Sequence, residues 1–162
     1  MSKMLYRMIN PPITLLLKSP LHSVISSNTL IVEFKGRRSG RVMTTPISYH
    51  HAEVEADLDV DVDVDGKDTI QCFTAKANIW WRNLRGVESV RLLIKKQWVT
   101  VRPEVIVDDQ KILTHSLDAF LRAVPRDATH SNVRLEANGT PNAADIQNAI
   151  GSLVLIKFHP IV

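Results

Sequence analysis

From position 28 onward, short runs rich in β-branched and other apolar residues alternate with turn residues. These runs predict six strands, at residues 29–34, 42–51, 68–75, 89–94, 98–107 and 153–158. Short apolar runs bounded by Gly, Pro, Asn, Asp or Ser are typical of strands. Because the strands follow one another closely and do not alternate with helices, the pattern predicts a small antiparallel sheet or barrel, mainly β in an α+β class.

Helical spacing of apolar residues appears mainly near the C-terminal end. Residues from Ile112 to Val124 recur at this spacing and predict a helix that Asp108 caps and Pro125 ends. Residues 140–150 predict a second helix, and residues 77–85 a short one that a glycine ends. We therefore expect helices to cover a sheet whose last strand comes near the end of the chain.

Length and composition indicate one domain. The chain has 162 residues, 44% of them hydrophobic, which suits a single core. No apolar run approaches the roughly 18 residues of a membrane-spanning helix. A single cysteine, Cys72, excludes an internal disulfide and fits a reducing compartment, so we expect a cytoplasmic protein. Residues 1–27 predict two short helical pieces, which we expect to pack on the domain; weak contact with a membrane surface is the alternative.

Charge is distributed unevenly. Residues 53–68 hold eight of the 17 acidic side chains and one of the 20 basic ones, so the rest of the chain carries a net charge of +10. A body this basic attracts anions such as nucleic acid, an acidic membrane or a phosphate-bearing cofactor. Residues 56–66 alternate Asp with apolar residues and resemble the first half of a calcium-binding EF-hand loop. Cys72 stands where that loop needs its glutamate, so we predict a solvated acidic insertion and no metal site.

Known catalytic motifs are missing from the sequence. Gly36-Arg-Arg-Ser39-Gly40 differs from the serine-nucleophile elbow by one position, the six histidines lack the spacing of a helical metal site, and there is no phosphate-binding P-loop. The same turn does suit a phosphate, since Arg37 and Arg38 can bind an anion while the glycines allow close backbone approach. The alternative is that these arginines form a solvated hairpin tip that binds nothing.

Aromatic residues next to cations form a second candidate element. Trp80 and Trp81 lie beside Arg82 and Asn83, a set that suits a planar anionic cofactor. Neighbours on a helix point about 100° apart, so one tryptophan can face the barrel while the other lines a cleft. Adjacent tryptophans make a poor base-stacking platform, and no nucleic-acid motif is present, so we predict no nucleic-acid partner.

Taken in order, the segments SPLH (residues 19–22), FKGRRSGRVMTTPISY (34–49), WWRNLRG (80–86) and VRLLIKK (90–96) resemble the nitroreductase/quinone reductase family related to deazaflavin-dependent nitroreductases. The resemblance covers most of residues 10–107. It implies a six-stranded split β-barrel that binds the deazaflavin coenzyme F-420 or FMN. Two departures are visible: a shorter loop before the tryptophans, and Met43 where better-known members have a basic residue.

The resemblance also implies the function and the binding residues. It implies a reductase of quinones, nitro compounds or similar small acceptors, often a homodimer, with the hydride carried by the cofactor and no catalytic side chain required. A non-catalytic flavin- or haem-binding carrier or sensor is the alternative. The substrate lobe would come from the N-terminal helix and residues 129–139. The implied cofactor-binding residues are Arg37, Arg38, Ser39, Met43, Thr44, Thr45, Pro46, Ile47, Ser48, Thr74, Ala75, Lys76, Ile79, Trp80, Trp81, Arg82 and Asn83.

Overall fold

Seven antiparallel strands form one curled sheet in the computed structural model, which describes residues 28–52 and 69–161. Their order across the sheet is β2-β1-β5-β6-β7-β4-β3. The strands are β1 (Thr29–Lys35), β2 (Val42–Ser48), β3 (His50–Ala52), β4 (Thr69–Ala75), β5 (Val90–Ile94), β6 (Gln97–Ile106) and β7 (Leu153–Pro160).

The two edge strands of the sheet, β2 and β3, are consecutive in the chain and separated only by Tyr49. The sheet must therefore curl until its edges approach each other, and β2 does come close to β4. The side chain of Tyr49 is buried, and its N–H donates to the carbonyl of Asn28 at 2.8 Å. This break at Tyr49 divides the single strand predicted over residues 42–51, which is why seven strands are found where six were predicted.

One face of the curled sheet encloses an apolar core. Alternate residues of each strand point inward, so the core draws on nearly every strand. Its buried members are Leu30, Val32, Phe34, Tyr49, Ile70, Cys72, Trp81, Leu84, Val90, Leu92, Val101, Val154, Ile156 and Phe158.

Two helices, α1 (Gln110–Ala123) and α2 (Ala143–Ala149), form a second core against the outer face of β4 and β7. Phe73 and Leu155 contribute from the strands, and Leu117 and Phe120 from α1. Both helices begin later than predicted: the cap of α1 lies one residue further along the chain, and α2 starts three residues further along. The cap of α1 is Asp109, whose carboxylate accepts the N–H of Ile112 at 3.0 Å. α2 begins after Asn142, which caps it, and not at residue 140.

Adjacent aspartates at the start of α1 allow a matched test of this correction. Replacing Asp109 with alanine is expected to lower the free energy of unfolding by about 1 kcal/mol, because the cap bond is lost. Replacing Asp108 removes only an exposed ion pair to Lys76 and should change it by less than about 0.5 kcal/mol. Urea denaturation followed by circular dichroism measures both, and the reverse ranking would restore Asp108 as the cap.

Some predictions fall on residues outside the described ranges. These are the two N-terminal helical pieces at 1–27 and the acidic insertion at 53–68. In the part of the chain that the structure describes, the longest helix has 14 residues, and none is long and apolar enough to cross a membrane.

Candidate cofactor-binding site

Residues 36–41 join β1 to β2 in a tight turn, called here the arginine turn. The N–H of Gly36 donates to the carbonyl of Arg41 at 2.9 Å, and that of Gly40 to the carbonyl of Gly36 at 2.8 Å. Gly40 has a φ of +64°, and a Cβ on Gly36 would lie only 2.6 Å from the hydroxyl oxygen of Ser39. That hydroxyl accepts the N–H of Arg41 at 3.2 Å. Gly40 is therefore needed for its left-handed backbone, while a side chain at Gly36 would have to displace the ends of the Ser39 and Met43 side chains.

A short 3-10 helix, Trp80–Leu84, packs against one end of the barrel core. Trp81 is 3% exposed, and its indole N–H donates to the carbonyl of Lys76 at 3.3 Å. Trp80 is half-buried, with its ring centroid 5.9 Å from that of Phe34. The sequence predicts different environments for the two tryptophans, and the structure confirms this. The helix is shorter than the predicted range of 77–85.

Two hydrogen bonds join the arginine turn to this helix. The backbone N–H of Arg37 donates to Oδ1 of Asn83 at 2.9 Å, and the guanidinium of Arg37 donates to the carbonyl of Arg82 at 3.3 Å. The two parts of the predicted site, some 45 residues apart in sequence, are therefore in contact.

Five arginines lie on or directly after these two segments, and all five are exposed: Arg37, Arg38, Arg41, Arg82 and Arg85. The guanidinium carbons of Arg82 and Arg85 lie 5.4 and 5.0 Å from the ring centroid of Trp81, within cation–π range. Arg38 and Arg41 have no side-chain partner within residues 28–52 and 69–161. None of the five forms an ion pair with a described carboxylate. This end of the barrel therefore presents uncompensated positive charge, which favours an anion.

The predicted strand residues divide between the two faces of β2. Register with β1 places Met43, Thr45 and Ile47 opposite Phe34, Val32 and Leu30. Thr45 is 1% exposed and Ile47 packs against the core, so neither offers its side chain to a ligand, whereas Met43 is 38% exposed beside the turn. The members on the outer face are Thr44, Pro46 and Ser48, and the hydroxyl of Ser48 donates to Asp127 at 3.3 Å.

The predicted binding residues Thr74 to Lys76 interact with protein side chains outside the arginine turn. Thr74 is buried, and its hydroxyl oxygen accepts from the amide of Asn78 at 3.1 Å. The ammonium of Lys76 pairs with Asp108 at 3.2 Å, and Ala75 is exposed. The structure thus connects this group to the linker before α1, and the Lys76 charge is compensated there.

Apolar side chains lie near the turn. Met43 is 38% exposed with its terminal methyl close to Gly36, Trp80 contacts Phe34, and Ile79, which is 57% exposed, directly precedes Trp80. Two clefts in the described residues lie elsewhere: one of about 710 Å³ between α1 and α2, and one of about 150 Å³ beside Lys76. Of residues 129–139, expected in a substrate lobe, Val133 and Leu135 pack in the core formed with the helices, and most of the others are exposed. The chemistry of the turn fits a phosphate, and the apolar area beside it fits one side of a planar ring.

Buried titratable groups belong to the barrel wall. The Nε2–H of His50 donates to Oε1 of Gln71 at 3.2 Å, and burial lowers the pKa of this histidine. Burial raises the pKa of Cys72 well above its usual value. Both side chains are therefore uncharged near neutral pH. Within the described ranges, no three His, Cys, Asp or Glu side chains are grouped as metal ligands.

Sequence reasoning omitted three residues that belong to this region. Arg41 and Arg85 add to its positive charge, and Phe34 contacts the ring of Trp80. Arg41 could have been found from its place directly after the second glycine of the turn. Arg85 follows Trp81 by four residues, a spacing that brings side chains together on a helix.

Comparison with known proteins gives structural neighbours only. No family model matches the chain, and no curated protein matches it. A pyridoxamine 5'-phosphate oxidase-related, FMN-binding protein from Nostoc punctiforme is 10% identical, with a TM-score of 0.53 over 94% of this chain and 80% of that one. A protein of unknown function from Agrobacterium tumefaciens is 12% identical, with a TM-score of 0.53 over 89% of this chain.

The chain spans 56% of the length of the Agrobacterium protein. An F-420 reductase is similar at a TM-score of 0.41 and 12% identity, covering 83% of this chain and 86% of its own. At such identities the likeness shows the fold and no more. This chain has the split β-barrel fold of FMN-binding proteins.

Proposed function

We propose that this protein binds a flavin-type cofactor, FMN or the deazaflavin F-420, with the phosphate of the cofactor at the arginine turn. The fold is that of an FMN-binding protein. The observation that carries the proposal is the guanidinium of Arg38, which has no partner among the described residues and lies on a turn held against Trp80–Leu84. Both cofactors share a phosphate group and a tricyclic ring, so one site chemistry serves for either.

The hydrogen bonds within the turn indicate which donors would meet the phosphate. The amides of Gly36, Arg37, Gly40 and Arg41 all have acceptors within the protein. The amides of Arg38 and Ser39 have no acceptor in the described part of the chain. Two successive free N–H groups beside a guanidinium are a common way to bind a phosphate.

Met43, Ile79 and Trp80 would contact the ring. Met43 and Trp80 lie beside the turn and Ile79 directly precedes Trp80, so a ring there would gain hydrophobic contact while its phosphate remains at the cations. When bound, the cofactor supplies hydride chemistry, and the chain provides placement and electrostatics. We infer a reductase of a quinone, nitro compound or similar small acceptor.

The test compares FMN with riboflavin, which has the same ring but no phosphate. Replacing Arg38 with alanine is expected to weaken FMN binding about ten- to a hundredfold, since a charge-assisted hydrogen bond contributes about 1.5–3 kcal/mol. Riboflavin affinity should not change. Arg122→Ala removes an equal charge from the exposed surface of α1 and serves as the control. Fluorescence titration measures all three proteins, and a parallel titration with F-420 identifies the preferred cofactor.

Two outcomes would contradict the proposal. In one, the wild-type protein binds FMN no more tightly than riboflavin; in the other, Arg38→Ala binds FMN as tightly as Arg122→Ala does. Catalysis is tested separately by supplying the reduced cofactor and a quinone or nitro compound. Tight binding without turnover would identify the protein as a carrier or sensor.

A further inference from the structure

The carboxamide of Asn83 forms hydrogen bonds through both its oxygen and its nitrogen, one to the arginine turn and one within the 3-10 helix. Its Oδ1 accepts the N–H of Arg37 at 2.9 Å, and its Nδ2 donates to the carbonyl of Trp80 at 2.9 Å. The first bond crosses 46 residues of sequence and reaches the arginine turn, while the second stays within the 3-10 helix. Asn83 is half-buried; its bond to the Trp80 carbonyl is partly buried, and its bond to the Arg37 amide is exposed.

Because the Arg37 amide points at Asn83, the orientation of the next peptide groups in the turn is constrained. Those next two amides belong to Arg38 and Ser39, which are the two without an acceptor in the described residues. Gly36 and Gly40 close the turn from within but do not orient it relative to the helix. The only other bond from the turn to Trp80–Leu84 among the described residues is the longer one, 3.3 Å, from the exposed Arg37 guanidinium.

We propose that Asn83 is a positioning residue for the anion site and does not itself bind the ligand. It fixes the arginine turn so that the amides of Arg38 and Ser39 point toward a phosphate. This inference rests on the proposed function, because it assumes that the turn is where the phosphate binds. It assigns Asn83 a different role from the direct cofactor contact that the sequence resemblance implies.

The carboxamide suits this role because it carries an acceptor and a donor on one short, planar group. Trp81 and Leu84 hold the helix in the barrel core without help from Asn83. Loss of the carboxamide should therefore leave both segments folded but free to shift relative to each other. A shift of this kind weakens the phosphate contact and leaves the ring contact unchanged, and this difference distinguishes positioning from a general structural role.

The experiment uses Asn83→Ala and the nearly isosteric Asn83→Leu, which keeps the packing volume if the smaller side chain impairs folding. FMN affinity is expected to fall about tenfold in both variants, with riboflavin affinity unchanged. The control is Asn78→Ala, which removes a neighbouring side-chain hydrogen bond to Thr74 and should preserve the ratio of FMN to riboflavin affinity.

A second measurement requires no cofactor. In amide NMR spectra, inorganic phosphate should shift the Arg38 and Ser39 signals of the wild type and of Asn78→Ala. In the Asn83 variants those shifts should be much smaller, and the Arg37 amide should exchange with solvent at least tenfold faster. The Gly36 and Gly40 amides should keep their wild-type exchange rates.

The outcomes separate the two proposals. If the wild type prefers FMN to riboflavin and the Asn83 variants keep that preference and the phosphate shifts, the positioning role is wrong and the proposed function stands. If the wild type shows neither the preference nor the shifts, the phosphate site itself is absent, which overturns both.

Discussion

Replacing Trp81 with alanine is expected to lower the free energy of unfolding by about 3–5 kcal/mol, the usual cost of removing a buried tryptophan. Trp81 is 3% exposed within the barrel core, and its indole N–H bonds to the carbonyl of Lys76. The change would also remove the ring beside which the guanidinium groups of Arg82 and Arg85 lie. Urea denaturation followed by circular dichroism measures this loss without relying on tryptophan fluorescence.

The matched control is the neighbouring tryptophan. Trp80 is half-buried, so Trp80→Ala should cost about 1 kcal/mol, in proportion to the smaller area removed from the core. The same variant should weaken both FMN and riboflavin, because the proposal assigns Trp80 to the ring and not to the phosphate. Equal stability losses for the two variants, with no change in binding, would mean that both tryptophans serve only the core.

The sequence predicted the strand boundaries accurately where turn-forming or polar residues flank the strand on both sides. β1 and β4 match the predicted ranges to within one residue, because each is a short apolar run with polar residues on both sides. The break at Tyr49 was not predicted, since it arises when the sheet closes and the chain passes from one edge to the other. The turn between β5 and β6 places Lys95 and Lys96 at positive φ. Two lysines in sequence do not indicate such a turn, for which Asn and Gly are the usual residues.

Recognition of the site from sequence was partial for a similar reason. The arginine turn and the tryptophan segment could be identified as local sets of residue types, and the structure brings them together. Sequence cannot tell which member binds a neighbour and which remains available to a ligand. Arg37 uses its amide and guanidinium inside the protein, and Lys76 pairs with Asp108, whereas Arg38 has no such partner in the described chain.

The helical layer depends on contacts that no local pattern reveals. Periodicity predicts that Phe120 lies on the apolar face of α1, and the residue is 1% exposed. What it packs against depends on the fold: its ring lies 5.4 Å from that of Phe73 and 5.3 Å from that of His50, both edge-on. Phe120 therefore joins the helix to two strands of the barrel.

Replacing Phe120 with alanine is accordingly expected to lower the free energy of unfolding by about 3–5 kcal/mol. Phe120→Leu, which keeps much of the buried volume, should cost less than half as much.

The wild type should lose stability as the pH falls below about 6.5, because the folded-state pKa of His50 lies below that ordinary histidine value, and the unfolded chain therefore takes up more protons. In Phe120→Ala, water would reach the His50 side chain, which should raise the pKa of His50 and reduce this pH dependence. Urea titrations at pH 7.5 and 5.5 measure both effects, and an unchanged pH dependence in Phe120→Ala would show that Phe120 does not shield His50 from water.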